Sequence, residues 1–300
     1  MSQKTSNQVT FKSLQEAHGQ IPYNMTNDYM FRAVLQKSNK VLRGLIGSLL
    51  HLTEEEMVSV TITNPIIIGE ALNDKEFRLD INVDLNNQKT INLEMQVADL
   101  HNWTNRSLCY LCRSFDQLNH GESYKSIKTV IRIGILDYTL FKEHPEFYAA
   151  YRMMNVKNHI IYSNNFILTV LDLTQIDLAT EEDKQFQLDY WARLFKSNTW
   201  EELKTMAAQN EYLQEASETI FTLSSDELVR KRCLDREAYY IDMKAMQEDI
   251  AEEKEKVAKL QTELALKDSK IAENESTIAQ QAAELEYVKK QLAELQANSK

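Results

Sequence analysis

Cysteine is scarce in this chain. Cys109, Cys112 and Cys233 are the only three among 300 residues, an odd and small number that excludes a disulfide framework. Cys109 and Cys112 have Cys-x-x-Cys spacing, but no second pair follows. The segment reads as helix interior, with a metal or redox role as the rival reading. The six histidines, at positions 18, 51, 101, 120, 144 and 159, show no zinc-site spacing, and only His101 falls close to candidate chemistry. No apolar run approaches the roughly 18 residues of a membrane helix, and the polar opening at residues 1–8 lacks the apolar region of a secretory signal. These two absences predict a cytoplasmic protein. Excess basic charge is missing too. The formal net charge is −11, with 25 basic and 31 acidic residues through position 236 and 9 and 14 beyond it. A nucleic-acid enzyme usually carries a basic footprint. Here any footprint must be local, and the best cluster is Arg106, Arg113, Lys125, Lys128 and Arg132, with ordinary solvated surface as the alternative. Finally, all six glycines and all three prolines lie at or before Pro145. Beyond it mostly helix is expected, apart from a strand-like run at residues 166–173.

Against that background two neighbouring segments stand out, residues 78–85 and 91–97. Both alternate strictly. Leu79, Ile81, Val83 and Leu85 face one way, as do Ile91, Leu93, Met95 and Val97, which leaves Asp80, Asn82, Asn92, Glu94 and Gln96 on the opposite face. Segments this close form a hairpin. For the two apolar faces to coincide the loop must have an odd length, and Asn86-Asn87-Gln88 supplies three residues with asparagines that tolerate left-handed backbone. Asp80 then lies opposite Glu94, with Cβ atoms roughly 5 Å apart. Two carboxylates that close repel unless a positive charge sits between them, and a hard divalent cation with oxygen ligands is the natural candidate. The rival is a pair of solvent-facing strand carboxylates. Asp84 shares the face but adjoins the turn and reads as a turn residue.

Asp80 followed by Glu94-Met95-Gln96 resembles the core of the PD-(D/E)XK nuclease superfamily, and more closely its transposase-associated branch, the recombination-promoting nuclease group, whose members often read Glu-x-Gln. Thr26-Asn27-Asp28-Tyr29-Met30-Phe31, then Asn39-Lys40 and an apolar helix, looks like the family's opening. Gly121-Glu122-Ser123-Tyr124 and Ile131-Arg132-Ile133-Gly134-Ile135-Leu136-Asp137 look like a third block. The resemblance covers about residues 22–235. It implies a Mg²⁺- or Mn²⁺-dependent endonuclease acting on DNA, with Asp80 and Glu94 as metal ligands, helped by the Met95 carbonyl, and Asp28 as an upstream acid. Gln96 stands where many members carry a lysine. It can hydrogen-bond a water but brings no charge. Arg78, on the Asp80 face, is a candidate replacement. Arg106 and Tyr110, four apart on one face of the next helix, match the polar residue and tyrosine that members often direct at the site, and Arg113 joins them as a phosphate contact. Packing is the rival role for Tyr110.

The coarse order is helices at 28–37 and 39–51, strands near 58–68, 77–85 and 90–98, a helix at 103–119, strands near 128–137 and 166–172, and helices at 181–196, 199–209, 211–222 and 225–235. That order is α/β to α+β, and the resemblance implies a restriction-endonuclease-like mixed sheet flanked by helices. The expected divisions are a polar leader at 1–24, a nuclease-like core at 25–175, a helical extension at 176–236 and a coiled coil at 237–300. In the last, Ile250, Val257, Leu264, Ile271, Ile278, Leu285 and Leu292 recur every seven residues, which predicts a left-handed coiled coil. The β-branched residues of this seam favour a parallel homodimer. Lys267, Asn274 and Gln281 weaken the second seam and can set register. Two functions follow: a metal-dependent DNA endonuclease of a transposase- or recombination-associated family, or a catalytically weak nuclease-fold protein that serves assembly through its coil.

Overall fold

The turn at Asn86–Gln88 sets the register of the sheet. Asn86 and Asn87 both adopt positive φ, 55° each, and close a hairpin between β2 (Ile81–Leu85) and β3 (Lys89–Gln96) in which Leu85 pairs with Lys89 and Ile81 with Leu93. Continuing that register sets Asp80, the residue just before β2, level with Glu94. The computed structural model describes residues 11–66, 68, 80–116, 118 and 120–298. Leu79 and Arg78 lie outside the described residues. Of the strand expected near 58–68 only β1 (Val60–Ile62) forms, and residues 63–66 run on outside it as bend and loop.

Six strands form one sheet in the order β1-β2-β3-β4-β6-β5. β3, β4 (Thr129–Leu136) and β6 (Phe166–Asp172) run parallel; β1, β2 and β5 (Tyr148–Arg152) pair antiparallel. Between β3 and β4 the chain forms helix α3 (Trp103–Phe115), as a parallel pair requires a crossover. One sheet face buries Ile81, Val83, Ile91, Leu93, Ile133 and Ile135 against α1 (Asp28–Lys37) and α2 (Asn39–Leu50). On the other face α3 packs over β4 and β6, where Trp103, Leu136 and Val170 make a second, smaller core. The mixed sheet with helices on both faces is the architecture expected from the element order.

Three expectations need correction. The region after Pro145 contains β5 and a projecting turn before β6. The helix expected over 181–196 is broken into α4 (Glu181–Gln185) and α5 (Leu188–Lys196) by Gln187 at φ 57°. The helix expected to end at 235 instead runs on as α8 (Glu227–Asn298), after α6 (Trp200–Ala207) and α7 (Glu211–Ser224). The chain divides into two compact units, Met1–Tyr240 and Ile241–Lys300. Within the second, the seam residues Ile250, Val257, Leu264, Ile271 and Ile278 are 48 to 64% exposed.

Candidate active site

The polar face of the β2–β3 hairpin is built around Asn92. Its Nδ2 donates to Asp80 Oδ2 at 2.7 Å and to Asn82 Oδ1 at 2.6 Å. Two acceptors on one nitrogen fix the amide's orientation, and Asn92 Oδ1 is buried with no partner among the described residues. The Asp80 backbone is held as firmly. Its carbonyl accepts from Asn64 Nδ2 at 3.0 Å and from the Arg32 guanidinium, one turn into α1 from Asp28.

Glu94 is gripped from two sides. Arg106 of α3 donates from Nη2 to Oε1 at 2.8 Å, and Arg132 of β4 donates to Oε2. The Arg106 Nη2 also donates to Gln96 Oε1, while Gln96 Nε2 donates to the Ala98 carbonyl at 2.8 Å. These contacts depend on Gly134, which pairs with Glu94 across β3 and β4. A Cβ at Gly134 would stand 2.1 Å from Trp103 Cζ2, so only glycine lets the indole lie against the strand. That indole is the floor for both cations, with the guanidinium carbons of Arg132 and Arg106 at 5.5 and 5.6 Å from its centre, and Tyr110 lies 4.9 Å from Arg132. Arg132 is 1% exposed. Its Nε and Nη1, and Arg106 Nε, have no hydrogen-bond partner among the described residues.

The site is electrically balanced on paper, two carboxylates against two guanidinium groups, yet burial still dominates. Desolvation pushes Glu94 above its ordinary range; Arg132 and Arg106 pull it down without overcoming this, and nearby Asp80 adds to the rise. Burial likewise lowers Arg132, opposed chiefly by Glu94. Tyr138, buried beside this region, is raised first by desolvation and then by Asp99.

Of the residues expected from the sequence, Asp80, Glu94, Gln96, Arg106 and Tyr110 come together. Arg113 stacks on Tyr110 at 5.8 Å on the exposed side of α3. Asp28 makes a different set of contacts: it accepts from Arg236 Nε at 3.0 Å and from Tyr240 Oη at 2.8 Å, a buried tie between α1 and α8. Arg78 lies outside the described residues. His101 is exposed and pairs with Asp99 at 3.1 Å, and Cys109 and Cys112 are exposed free thiols. From the sequence Arg132 was expected only in a basic surface cluster, and Trp103, Asn92 and Gly134 were not expected at the site. The available signal was an arginine and a glycine two apart in an otherwise apolar strand, Val130-Ile131-Arg132-Ile133-Gly134-Ile135-Leu136.

The donor set suits a hard cation. Two carboxylates, Asp80 and Glu94, stand level on the hairpin's polar face, and Mg²⁺ typically takes one or two carboxylates and keeps several waters. Among the described residues no group of three or more His, Cys, Asp or Glu side chains is arranged to hold an ion, so an ion at this site would rest on Asp80, Glu94 and water. Each Glu94 oxygen accepts from one arginine and keeps a second lone pair for an ion.

The family model described as PD-(D/E)XK nuclease family transposase matches residues 25–250, and the chain belongs to that family. No curated protein and no solved structure gives a match.

Proposed function

We propose that this member of the PD-(D/E)XK nuclease family transposases is a metal-dependent DNA endonuclease, active in transposition or recombination. The observation that carries the reading is Asp80, held by Asn92 Nδ2 and set level with Glu94 by the hairpin register, close enough for its charge to act on Glu94. Hydrolysis of a phosphodiester needs an oriented water, stabilisation of charge on the phosphate and a proton for the leaving oxygen. A bound Mg²⁺ or Mn²⁺ supplies Lewis-acid stabilisation and an activated water. Asp80 and Glu94 are the protein ligands. Asn92 holds Asp80 in place through its Nδ2. Gln96, fixed by Ala98 through Nε2, presents its amide oxygen to Arg106 or to a water. The positive charge that a lysine at position 96 would bring comes from Arg132 and Arg106. Arg132 is immobilised between Trp103 and Tyr110, and the partly exposed Arg106 is placed to meet the phosphate. Preorganised donors of this kind are the usual source of transition-state stabilisation.

A second reading is favoured by one feature. Both Glu94 oxygens are satisfied by guanidinium groups, an arrangement that also serves as a purely structural buried ion-pair network. In that case the chain is a catalytically silent assembly factor joined through its coil. Cleavage of supercoiled plasmid with Mg²⁺ or Mn²⁺ separates the two. Nicking or linearisation that is lost in Asp80→Ala and in Glu94→Ala is the expected result. No cleavage by the clean parent with either metal rules the endonuclease out in favour of the assembly role.

A further inference from the structure

Between β5 and β6 the chain projects as an arm whose composition differs from the rest of this acidic protein. Asn155 N donates to the Ile160 carbonyl and Tyr162 N to the Met153 carbonyl, both at 2.9 Å, and Met154 bridges Ile161. The tip needs neither glycine nor proline, because His159 takes the left-handed conformation at φ 58° and Asn155 Oδ1 caps Lys157 N at 2.9 Å. The arm is therefore ordered, yet its apolar side chains point outward. Val156 is 86% exposed and Tyr162 83%, with Ile160, Met153 and Met154 also open. An ordered cluster of exposed apolar side chains marks an interaction surface.

The charge around it indicates the partner. In a chain of net charge −11, no Asp or Glu occurs between Glu146 and Asp172, while Arg152, Lys157 and His159 fall inside that window. The base of the arm is tied to the start of β4, where Thr129 Oγ1 donates to Asn165 Oδ1 at 3.0 Å, next to Lys128 and near the exposed Lys125. We propose that this arm is a DNA-contacting element, its basic residues meeting phosphate and its apolar tip entering a groove against the bases, as apolar wedges flanked by basic and amide side chains do. The proposal rests on the endonuclease reading and adds where the duplex is gripped. Register supports the reach. Arg152 pairs with Ile167, Ile167 with Ile131 and Ile131 with Ile91, so Arg152 stands at the β5 edge, three strands across and three residues along from Glu94 and on the opposite sheet face, and the duplex would pass round that edge. At standard strand spacings that is roughly 17 Å, or about five base steps of duplex.

The test measures binding of a fluorescent duplex by the full-length chain in EDTA, where no metal supports cleavage. The triple substitution Val156→Ser, Ile160→Ser and Tyr162→Ser is expected to raise Kd about ten-fold or more, since stacking of aromatic and apolar groups on bases is worth that much, without altering the salt dependence. Lys157→Glu is expected to reduce the slope of log K against log salt by about one or more. A 2-aminopurine probe brightened by the parent should stay dim with the triple variant. None of these side chains belongs to the core, so both variants should melt with the parent. Unchanged Kd, slope and probe signal overturn the proposal. So does a triple variant that keeps its DNA affinity but sediments as a smaller species, which makes the arm a contact between copies of the chain. A parent that neither binds nor cleaves duplex sinks the endonuclease reading as well, whereas a parent that cleaves with Asp80 dependence while the arm variants bind normally sinks the arm alone.

Discussion

Position 96 decides how much charge the site must find elsewhere. With glutamine there, the most deeply buried cation at the site is Arg132, which reaches Glu94 from the neighbouring strand and keeps two nitrogens without a partner among the described residues. Arg132→Met should therefore lower plasmid cleavage by about 10²–10³-fold, the usual effect of removing one preorganised donor. Adding Gln96→Lys to that variant should restore part of the loss by returning the charge from β3. Cleavage at the parent rate by Arg132→Met would make the arginine a packing residue. The proton on Glu94 gives a second test. Its pKa is raised in the fold, mainly by burial. Between the ordinary glutamate value, about 4.3, and that raised value, the native chain holds a proton the unfolded chain has lost. This contribution to stability is complete below the ordinary value and is lost as pH rises through the raised one. Metal binding needs the deprotonated form, so it has the opposite pH dependence. The Tm gain with Mn²⁺ should shrink as pH falls, beginning above the range of an ordinary carboxylate, and it should be absent from Glu94→Gln at every pH. A gain that persists to pH 4 in the parent would place the ion elsewhere. Asp80, Glu94 and Gln96 were legible because strand alternation and an odd loop fix both face and register. Arg132 was less so, because nothing local tells whether a lone arginine in an apolar strand is paired, stacked or solvated.

At the scale of elements, two contacts hold the site's framework. The first is the flat approach of α3 to β4 at Gly134. Gly134→Ala forces its Cβ into the Trp103 ring, and overpacking of this kind costs about 1–3 kcal/mol. Because the same indole supports Arg106 and Arg132, thermal melting and cleavage should fall together. The second is the tie between α1 and α8 through Asp28, Arg236 and Tyr240. Burial works against the Arg236 charge, but the Asp28 carboxylate more than offsets it and raises the arginine's pKa. Breaking such a buried pair from one side costs about 3–5 kcal/mol, so Asp28→Asn should lower Tm well beyond a surface substitution. If Tm is kept and cleavage lost, Asp28 belongs to the chemistry. The helix expected at 28–37 begins at Asp28, where the Asn27 side chain caps it by accepting from Tyr29 N and Met30 N. The sequence could not indicate that Asp28 pairs with a residue 208 positions away. β5 and its arm were missed for a local reason. Their turn is made by asparagine side chains and a left-handed histidine, where glycine or proline would have marked it.

At the scale of the whole molecule, the heptad seam sets what the chain does with its charge. Across the second unit the seam residues are between 48 and 64% exposed in a single chain. A narrow apolar stripe on a helix of 72 residues is stabilised by a partner helix, not by water. A second copy is the simplest partner, and pairing would deliver two nuclease units to one substrate. Ile271→Asp sets a charge in the middle of the seam, opposite its own copy in a parallel pair. Its Cβ is distant in sequence from every site residue, so folding of Met1–Tyr240 should be untouched and its Tm preserved. The parent is expected to sediment at twice the 34.9 kDa chain mass and the variant at the chain mass itself. The cleavage pattern should change with it. A dimer cuts both strands of a supercoiled plasmid in one encounter and gives linear product early, whereas separated chains nick first and linearise only as independent cuts accumulate. Early linear product from a chain that sediments as a monomer would break the link between the coil and double-strand cleavage, and a variant that remains at twice the chain mass would move the contact between copies out of the coil.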